Sequence, residues 1–215
     1  MPSPPELARR LPRCILGLAA FGAGIAAIVA ADVGLAPWDV FHQGASERLG
    51  LSIGTVIEGV GLLLLLLWIP LRQRFGIGTL LNALEIGIVV DLVLPRLHTP
   101  DPLVGRLALL LGGMAVIALG SGLYIGSGLG SGPRDGLMVG LHERFGWSIQ
   151  RSRTLVEVAA LTLGIALGGS TGLGTVVFAL GIGPMAQVTL PWFELPPLTR
   201  RGATGGLSPA APGSD

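Results

Sequence analysis

Long apolar stretches alternate along this chain with short polar segments rich in glycine and arginine. Runs nearly free of charge cover residues 14–31, 51–71 (interrupted by Glu58), 75–94 (containing Glu85 and Asp91), 107–126, 154–167 with a few residues before it, and 174–190. A helix needs about 20 residues to cross roughly 30 Å of hydrocarbon, so the pattern predicts six transmembrane helices. Val158 to Phe193 carries no charge and is too long for one span at 1.5 Å per residue. Gly168-Gly169-Ser170-Thr171-Gly172 supplies the break. Segments 37–50 and 133–146 are too polar to span and predict short helices. Each opens with Pro and has Asp two residues on, a helix N-terminus in which the missing N–H costs nothing and the dipole favours a carboxylate. Phe41, Ala45 and Leu49, and likewise Leu137, Leu141 and Phe145, recur every four residues. These helices are expected to be amphipathic at the interface or re-entrant.

Shifting the chain by 96 positions aligns 34–95 with 130–191 without a gap, and 23 of the 62 pairs are identical. Gly34, Pro37, Asp39, Gly44, Glu47, Arg48 and Gly50 fall on Gly130, Pro133, Asp135, Gly140, Glu143, Arg144 and Gly146. Gly76-Ile77-Gly78-Thr79 falls on Gly172-Leu173-Gly174-Thr175. The first and fourth spans also match, Gly17 on Gly113 and Gly24 on Gly120. Arg9, Arg10 and Arg13 before an apolar run ending Val29-Ala30-Ala31 would suit a signal peptide, but that run's mid-chain counterpart argues for a retained helix. Each unit holds three spans, an odd number that sets equivalent loops on opposite sides of the membrane. The expected architecture is an all-α membrane protein of six transmembrane helices, arranged as two inverted three-helix repeats (about 11–95 and 107–191), each with its short helix after the first span. Residues 1–195 form one transmembrane domain. The Pro/Gly/Ala/Ser-rich stretch 196–215 is expected to be disordered.

Composition narrows the class. Of 215 residues half are hydrophobic, 35 are Gly and 13% are charged, against about 25% charged in soluble domains; mean hydropathy is +0.71. A water-soluble enzyme, a nucleic-acid binder and a disordered chain are excluded. The single Cys14 and the scattered His42, His98 and His142 provide no metal-ligand spacing, and no cofactor is expected. All 14 basic residues are Arg. With the N-terminus inside, eleven (Arg134, Arg151 and Arg153 among them) fall on the cytoplasmic side and Arg48, Arg96 and Arg106 outside. This predicts cytoplasmic termini in a bacterial inner membrane. Trp38, Trp68, Trp147 and Trp192 lie near span ends, as an interfacial aromatic belt would.

Candidate site residues come from two sources. Asp39 and Asp135 either stabilise helix starts or, with Arg134, face a solute from re-entrant half-helices whose free N–H groups favour an anion. Arg134 has Trp38 as its repeat counterpart, so the two sites would differ. Charges inside spans cost roughly 2.5–3.5 kcal/mol on insertion scales and normally face a partner or water. Glu58, Glu85 and Glu157 qualify, and Arg153 lies four residues before Glu157 on one helix face. A buried Arg153–Glu157 pair is expected, either functional or locking two helices. Asp91, near a span end, is expected to be wetted. The glycine turns 76–79 and 172–175 predict close helix packing and no phosphate loop, since no strand precedes them. The glycine-rich stretch 120–132 predicts either a broken helix or close packing.

The motifs Gly34-Leu35-Ala36-Pro37-Trp38-Asp39, Leu51-Ser52-Ile53-Gly54, Gly76-Ile77-Gly78-Thr79 and Gly130-Ser131-Gly132-Pro133-Arg134-Asp135-Gly136-Leu137-Met138, with Arg153 and Glu157, resemble the bacterial YczE/YyaS/YitT family of membrane proteins over about residues 14–191. The likeness is to its YczE-like branch. The resemblance implies a polytopic inner-membrane protein and leaves activity unassigned. From the residues, a small-solute transporter or permease is the expected function, with the lipid bilayer and a small solute or ion as partners. The alternative is an accessory protein supporting a partner's assembly or activity. No nucleic acid is expected, and the glycine-rich faces permit homo-oligomerisation. An enzyme is not expected, as no Gly-x-Ser-x-Gly or His-Glu-x-x-His occurs.

Overall fold

The computed structural model describes residues 3–196; the stretch 197–215, nearly all of the segment expected to be disordered, lies outside the described residues. Among the described residues there are eight α-helices and no strand: α1 (Pro4–Ala31), α2 (Pro37–Leu49), α3 (Ile53–Leu71), α4 (Ile77–Val93), α5 (Leu103–Gly126), α6 (Pro133–Phe145), α7 (Ile149–Leu167) and α8 (Leu173–Phe193), with a 3-10 turn at Leu94–Arg96. Helix ends follow local chemistry. The Ser52 and Ser148 hydroxyls accept the backbone N–H of Thr55 and Arg151, satisfying donors that a helix start leaves free. Gly50 and Gly146, with φ of 66° and 68°, end α2 and α6 in the left-handed conformation that only glycine adopts without cost.

Five helices are long and apolar enough to cross a membrane: α1, α3, α4 with its following turn, α5 and α8. Exposed Leu63, Leu66, Leu111, Val176 and Leu180 on these helices face outward, as hydrocarbon solvent allows. The sixth expected span, α7, is not among the five, because Arg151, Arg153 and Glu157 crowd its N-terminal half. It nevertheless runs between the two ends of the bundle. Its start follows α6, whose Glu143 accepts a hydrogen bond from Gln73 after α3 at 2.7 Å. At its far end the Leu167 carbonyl accepts from Arg48 at 3.2 Å, and Ser170 N–H donates to Gln43 at 2.7 Å.

Contacts recur in pairs separated by the 96-residue shift. α1 packs on α5, α4 on α1 and α8 on α5, α2 on α7 and α6 on α3. At the α1–α5 crossing a Cβ on Gly17 would lie 2.7 Å from the Gly120 carbonyl oxygen, and one on Gly24 2.7 Å from that of Gly113. Small residues bring the two backbones together there. Gly78 N–H donates to the Leu129 carbonyl at 3.0 Å, and its counterpart Gly174 N–H donates to the Val33 carbonyl at 2.7 Å. The expected glycine turns are therefore helix starts seated on the loop that enters the opposite half's short helix. One contact keeps its place but exchanges sizes: Gly136 faces Trp68, whose Cζ2 would be 1.8 Å from an added Cβ, whereas its counterpart Val40 packs on Gly164.

The main unpaired contact joins α3 and α4. In α3 and α4, Gly54 and Gly87 meet so closely that a Cβ on Gly87 would lie 2.3 Å from the Gly54 carbonyl oxygen. Asp91, expected to be wetted, is half-buried and also receives hydrogen bonds from the Ser52 hydroxyl (2.5 Å) and Gly54 N–H (2.8 Å). The equivalent α7 and α8 do not pack together, and Gly183, Gly87's counterpart, has nothing within 4 Å of an added Cβ. Gly183 therefore supports no close helix contact. In the 120–132 stretch both readings apply. Gly120, Gly122 and Gly126 pack tightly within α5, and the chain turns at Gly128 and Gly130, with φ of 67° and 134°.

Candidate functional site

Between the two halves lies a cavity of about 380 Å³. Its floor is made by the first turns of α2 and α6. Neither helix lies flat with one apolar face down. α2 buries Pro37, Asp39, Val40, His42, Gly44, Ala45 and Ser46, spread around its axis, while Leu49 at its C-terminus is exposed. α6 likewise buries Pro133, Gly136 and Met138 and exposes Phe145. The expected apolar stripes thus do not form; these helices enter the protein with their N-termini. Trp68 holds one of them in place, its indole N–H donating to the Pro133 carbonyl at 2.9 Å.

At the α2 start, buried Asp39 lies 3.3 Å from His42 Nδ1. A neutral ring that gives its Nδ1–H to this carboxylate presents a lone pair at Nε2. The Arg134 guanidinium carbon sits 4.8 Å over the Trp38 ring, an attraction between cation and ring quadrupole. At the α6 start, a Cβ on Gly132 would be 3.3 Å from each of Asn82 Nδ2, Asp135 Oδ2 and Tyr124 Oη, so three polar groups converge there. By accessible area Asp135 is exposed although α6 is packed into the protein at this point; the accessible surface faces the cavity.

Among the described residues four buried side-chain polar atoms have no partner at good hydrogen-bond geometry: Trp38 Nε1, His42 Nε2, Tyr124 Oη and Ser152 Oγ. The first three belong to residues that line this cavity. Leaving a buried polar group unpaired costs about 1–3 kcal/mol, and three such groups on one cavity make it a place for a polar solute.

Of the seven candidate residues from the sequence, Asp39, Arg134, Asp135, Arg153 and Glu157 line the cavity, and Glu58 and Glu85 do not. Glu58 is turned to α4, where its Cγ would lie 2.6 Å from a Cβ on Gly87. The Arg153–Glu157 pair forms at 3.4 Å but is not buried as expected: its side chains are 57% and 31% exposed. With α8 not packed on α7, that face of α7 opens onto the cavity. Two members of the expected aromatic belt are also misplaced. Trp38 lines the cavity and Trp68 is 1% exposed, whereas Trp147 and Trp192 are exposed as a belt requires. Sequence reasoning missed His42 and Tyr124. The signal for His42 was its position three residues after Asp39, on the same helix face. No comparable signal marked Tyr124. Among the described residues no group of His, Cys, Asp and Glu is arranged to hold a metal ion.

Comparison with known proteins places this geometry in a family. The chain is 38% identical over 176 residues to an uncharacterized protein of Haemophilus influenzae, covering 82% of this chain and 81% of that one. It is 34% identical over 176 residues to the uncharacterized membrane protein YczE of Bacillus subtilis, covering 80% of each. With the uncharacterized protein YyaS of Bacillus subtilis it shares 28% over 184 residues, covering 83% of this chain and 91% of that protein. No solved structure matches the chain. Five apolar helices and these relatives make it a multi-pass membrane protein. Residues 8–191 match the model of the family of unknown function DUF6198, and this YczE-like chain belongs to that family.

Proposed function

We propose that this protein is a small-solute transporter or permease of the bacterial inner membrane. The observation that carries the reading is the cavity between the two halves, entered by the N-termini of both short helices and lined by three unpaired polar atoms. Many secondary transporters hold solute in this way at the interface of inverted repeats, against the ends of broken helices. The paired contacts of α1 with α5, of α4 and α8 with them, and of the short helices with α7 and α3 support such a repeat. The end-to-end course of α7 supports six crossings, with Arg153 and Glu157 on the cavity. Arg134 and Arg153 leave the cytoplasmic tally for the cavity, and the remaining nine Arg against three still favour cytoplasmic termini.

Uptake of a metabolite mixture into proteoliposomes, read by mass spectrometry, tests the reading. The wild type is expected to accumulate or equilibrate at least one solute. Ser121→Trp, which fills the cavity from α5, is expected to abolish that flux while the purified protein stays monodisperse. If folded wild type moves nothing, transport fails, and the accessory-protein reading, tested by co-purification of a stoichiometric partner, takes its place.

A further inference from the structure

We propose that the cavity binds a zwitterionic solute with an apolar body, the chemistry of a neutral α-amino acid. This deepens the transport reading and rests on the same site. The first argument is charge balance. The cavity is lined by two cations, Arg134 and Arg153, and three carboxylates, Asp39, Asp135 and Glu157. The starts of α2 and α6 add roughly half a positive charge each, so the lining is close to neutral. A solute with net charge finds no surplus of the opposite sign; one with balanced, separated charges does not disturb the lining.

The second argument is where the poles lie. The α2 side of the cavity holds two free donors, the Arg134 guanidinium over Trp38 and the unpaired Trp38 indole N–H, beside the Asp39–His42 pair with its one unpaired acceptor, His42 Nε2. The two donors suit a carboxylate. Beside Gly132 two oxygens, Asp135 Oδ2 and Tyr124 Oη, converge with the donor Asn82 Nδ2, and the two oxygens suit an ammonium group. Arg134 and Asp135 are consecutive residues in the first turn of α6, so the two poles adjoin. Adjoining poles fit charges borne on one carbon better than charges at the ends of a long chain.

The third argument is the remaining wall. Phe21, Ile25, Ile57, Ile86, Ile117 and Phe178 line it with hydrocarbon and aromatic surface. An apolar body buried there gains by leaving water. A volume of about 380 Å³ is at the small end of the range of roughly 300–1,000 Å³ for ligand pockets, which suits a metabolite over a lipid.

The full chain in nanodiscs tests this by thermal stability and by intrinsic fluorescence, for which Trp38 is a reporter inside the cavity. The probes are L-leucine and L-phenylalanine, the carboxylate-only 4-methylpentanoate, the amine-only 3-methylbutylamine, and glycine, which has both charges and no body. Leucine or phenylalanine is expected to raise Tm and change the fluorescence at concentrations at least about tenfold below those needed for the other three, since ligand stabilisation follows concentration over Kd. Tyr124→Phe and Asp135→Asn are expected to erase that preference, and Arg134→Gln to remove the response; Arg134→Lys, which keeps the charge, controls for folding. Equal responses to leucine and 4-methylpentanoate, or none to any neutral amino acid, overturn the proposal. Uptake measured in parallel separates the two readings. Binding of leucine without flux sinks transport alone, and flux of a net-charged solute without amino-acid binding sinks the zwitterion alone.

Discussion

The Arg134 guanidinium stacks on the Trp38 ring with 4.8 Å between its carbon and the ring centroid, and these residues hold the same position in the two halves of the chain. Under the proposed inverted repeat, counterparts that touch lie near the axis relating the halves, which would then pass close to the cavity. The exchange of Trp for Arg makes the site polar in a direction that a symmetric pair could not.

The pair should be energetically coupled. In a double-mutant cycle of Trp38→Leu and Arg134→Gln, unfolding in detergent is expected to show a coupling of about 0.5–2 kcal/mol, the size of a cation–π contact. Additive single losses would mean that the stack contributes nothing.

Gly136→Val drives a branched side chain into the Trp68 ring, which lies 1.8 Å from the added Cβ. Overpacking of this kind costs about 1–3 kcal/mol, read as a lower Tm. Trp68→Gly in the same chain copies the arrangement of Val40 with Gly164 and is expected to recover part of the loss, despite removing the bond to Pro133. A double variant less stable than Gly136→Val alone would refute the size exchange.

Asp91→Ala removes the acceptor of two hydrogen bonds at the α3 start. Bonds to a charged group contribute about 1.5–3 kcal/mol each, so a clear drop in Tm is expected. Gln187, its repeat counterpart, lines the cavity. Gln187→Ala is expected to change stability by less than about 0.5 kcal/mol, as surface substitutions do. Equal losses would show that the two halves cap their helices alike.

Glu157→Gln is expected to cost under about 1 kcal/mol, since its pairing with Arg153 is largely exposed. Its effect should fall on solute uptake, at least severalfold, with Tm nearly unchanged. A large loss of stability would restore the buried pair.

Much of this was legible because it depends on spacing. The repeat, the two short helices, and Asp39, Arg134 and Asp135 at their starts follow from residue order. Depth is less legible. An aromatic side chain near a predicted span end reads as interfacial, yet Trp38 and Trp68 lie inward because the short helices beside them bury their first turns in the protein. Glu58 and Glu85 were singled out by their depth along a span, which does not reveal the face they occupy. For Glu58 a clue was present in Gly54, one turn earlier, since a glycine on that face marks contact with another helix. Tyr124 meets Asn82 and Asp135 only beside Gly132, where three separate helices face one cavity, a meeting that no local pattern encodes.

The unequal joints, α3 against α4 and α7 apart from α8, give the protein two postures of one segment side by side. If the halves trade postures, Gly183 moves into the contact that Gly87 now makes, Gln187 swings from the cavity to cap α7 as Asp91 caps α3, and α3 and α4 part. Cysteines at Gln150 and Gly183, the counterparts of Gly54 and Gly87, in a Cys14→Ala background should then cross-link in that exchanged posture, and solute that favours it should speed the reaction. The cavity would be wrapped by the first half when reached from one side of the membrane and by the second when reached from the other.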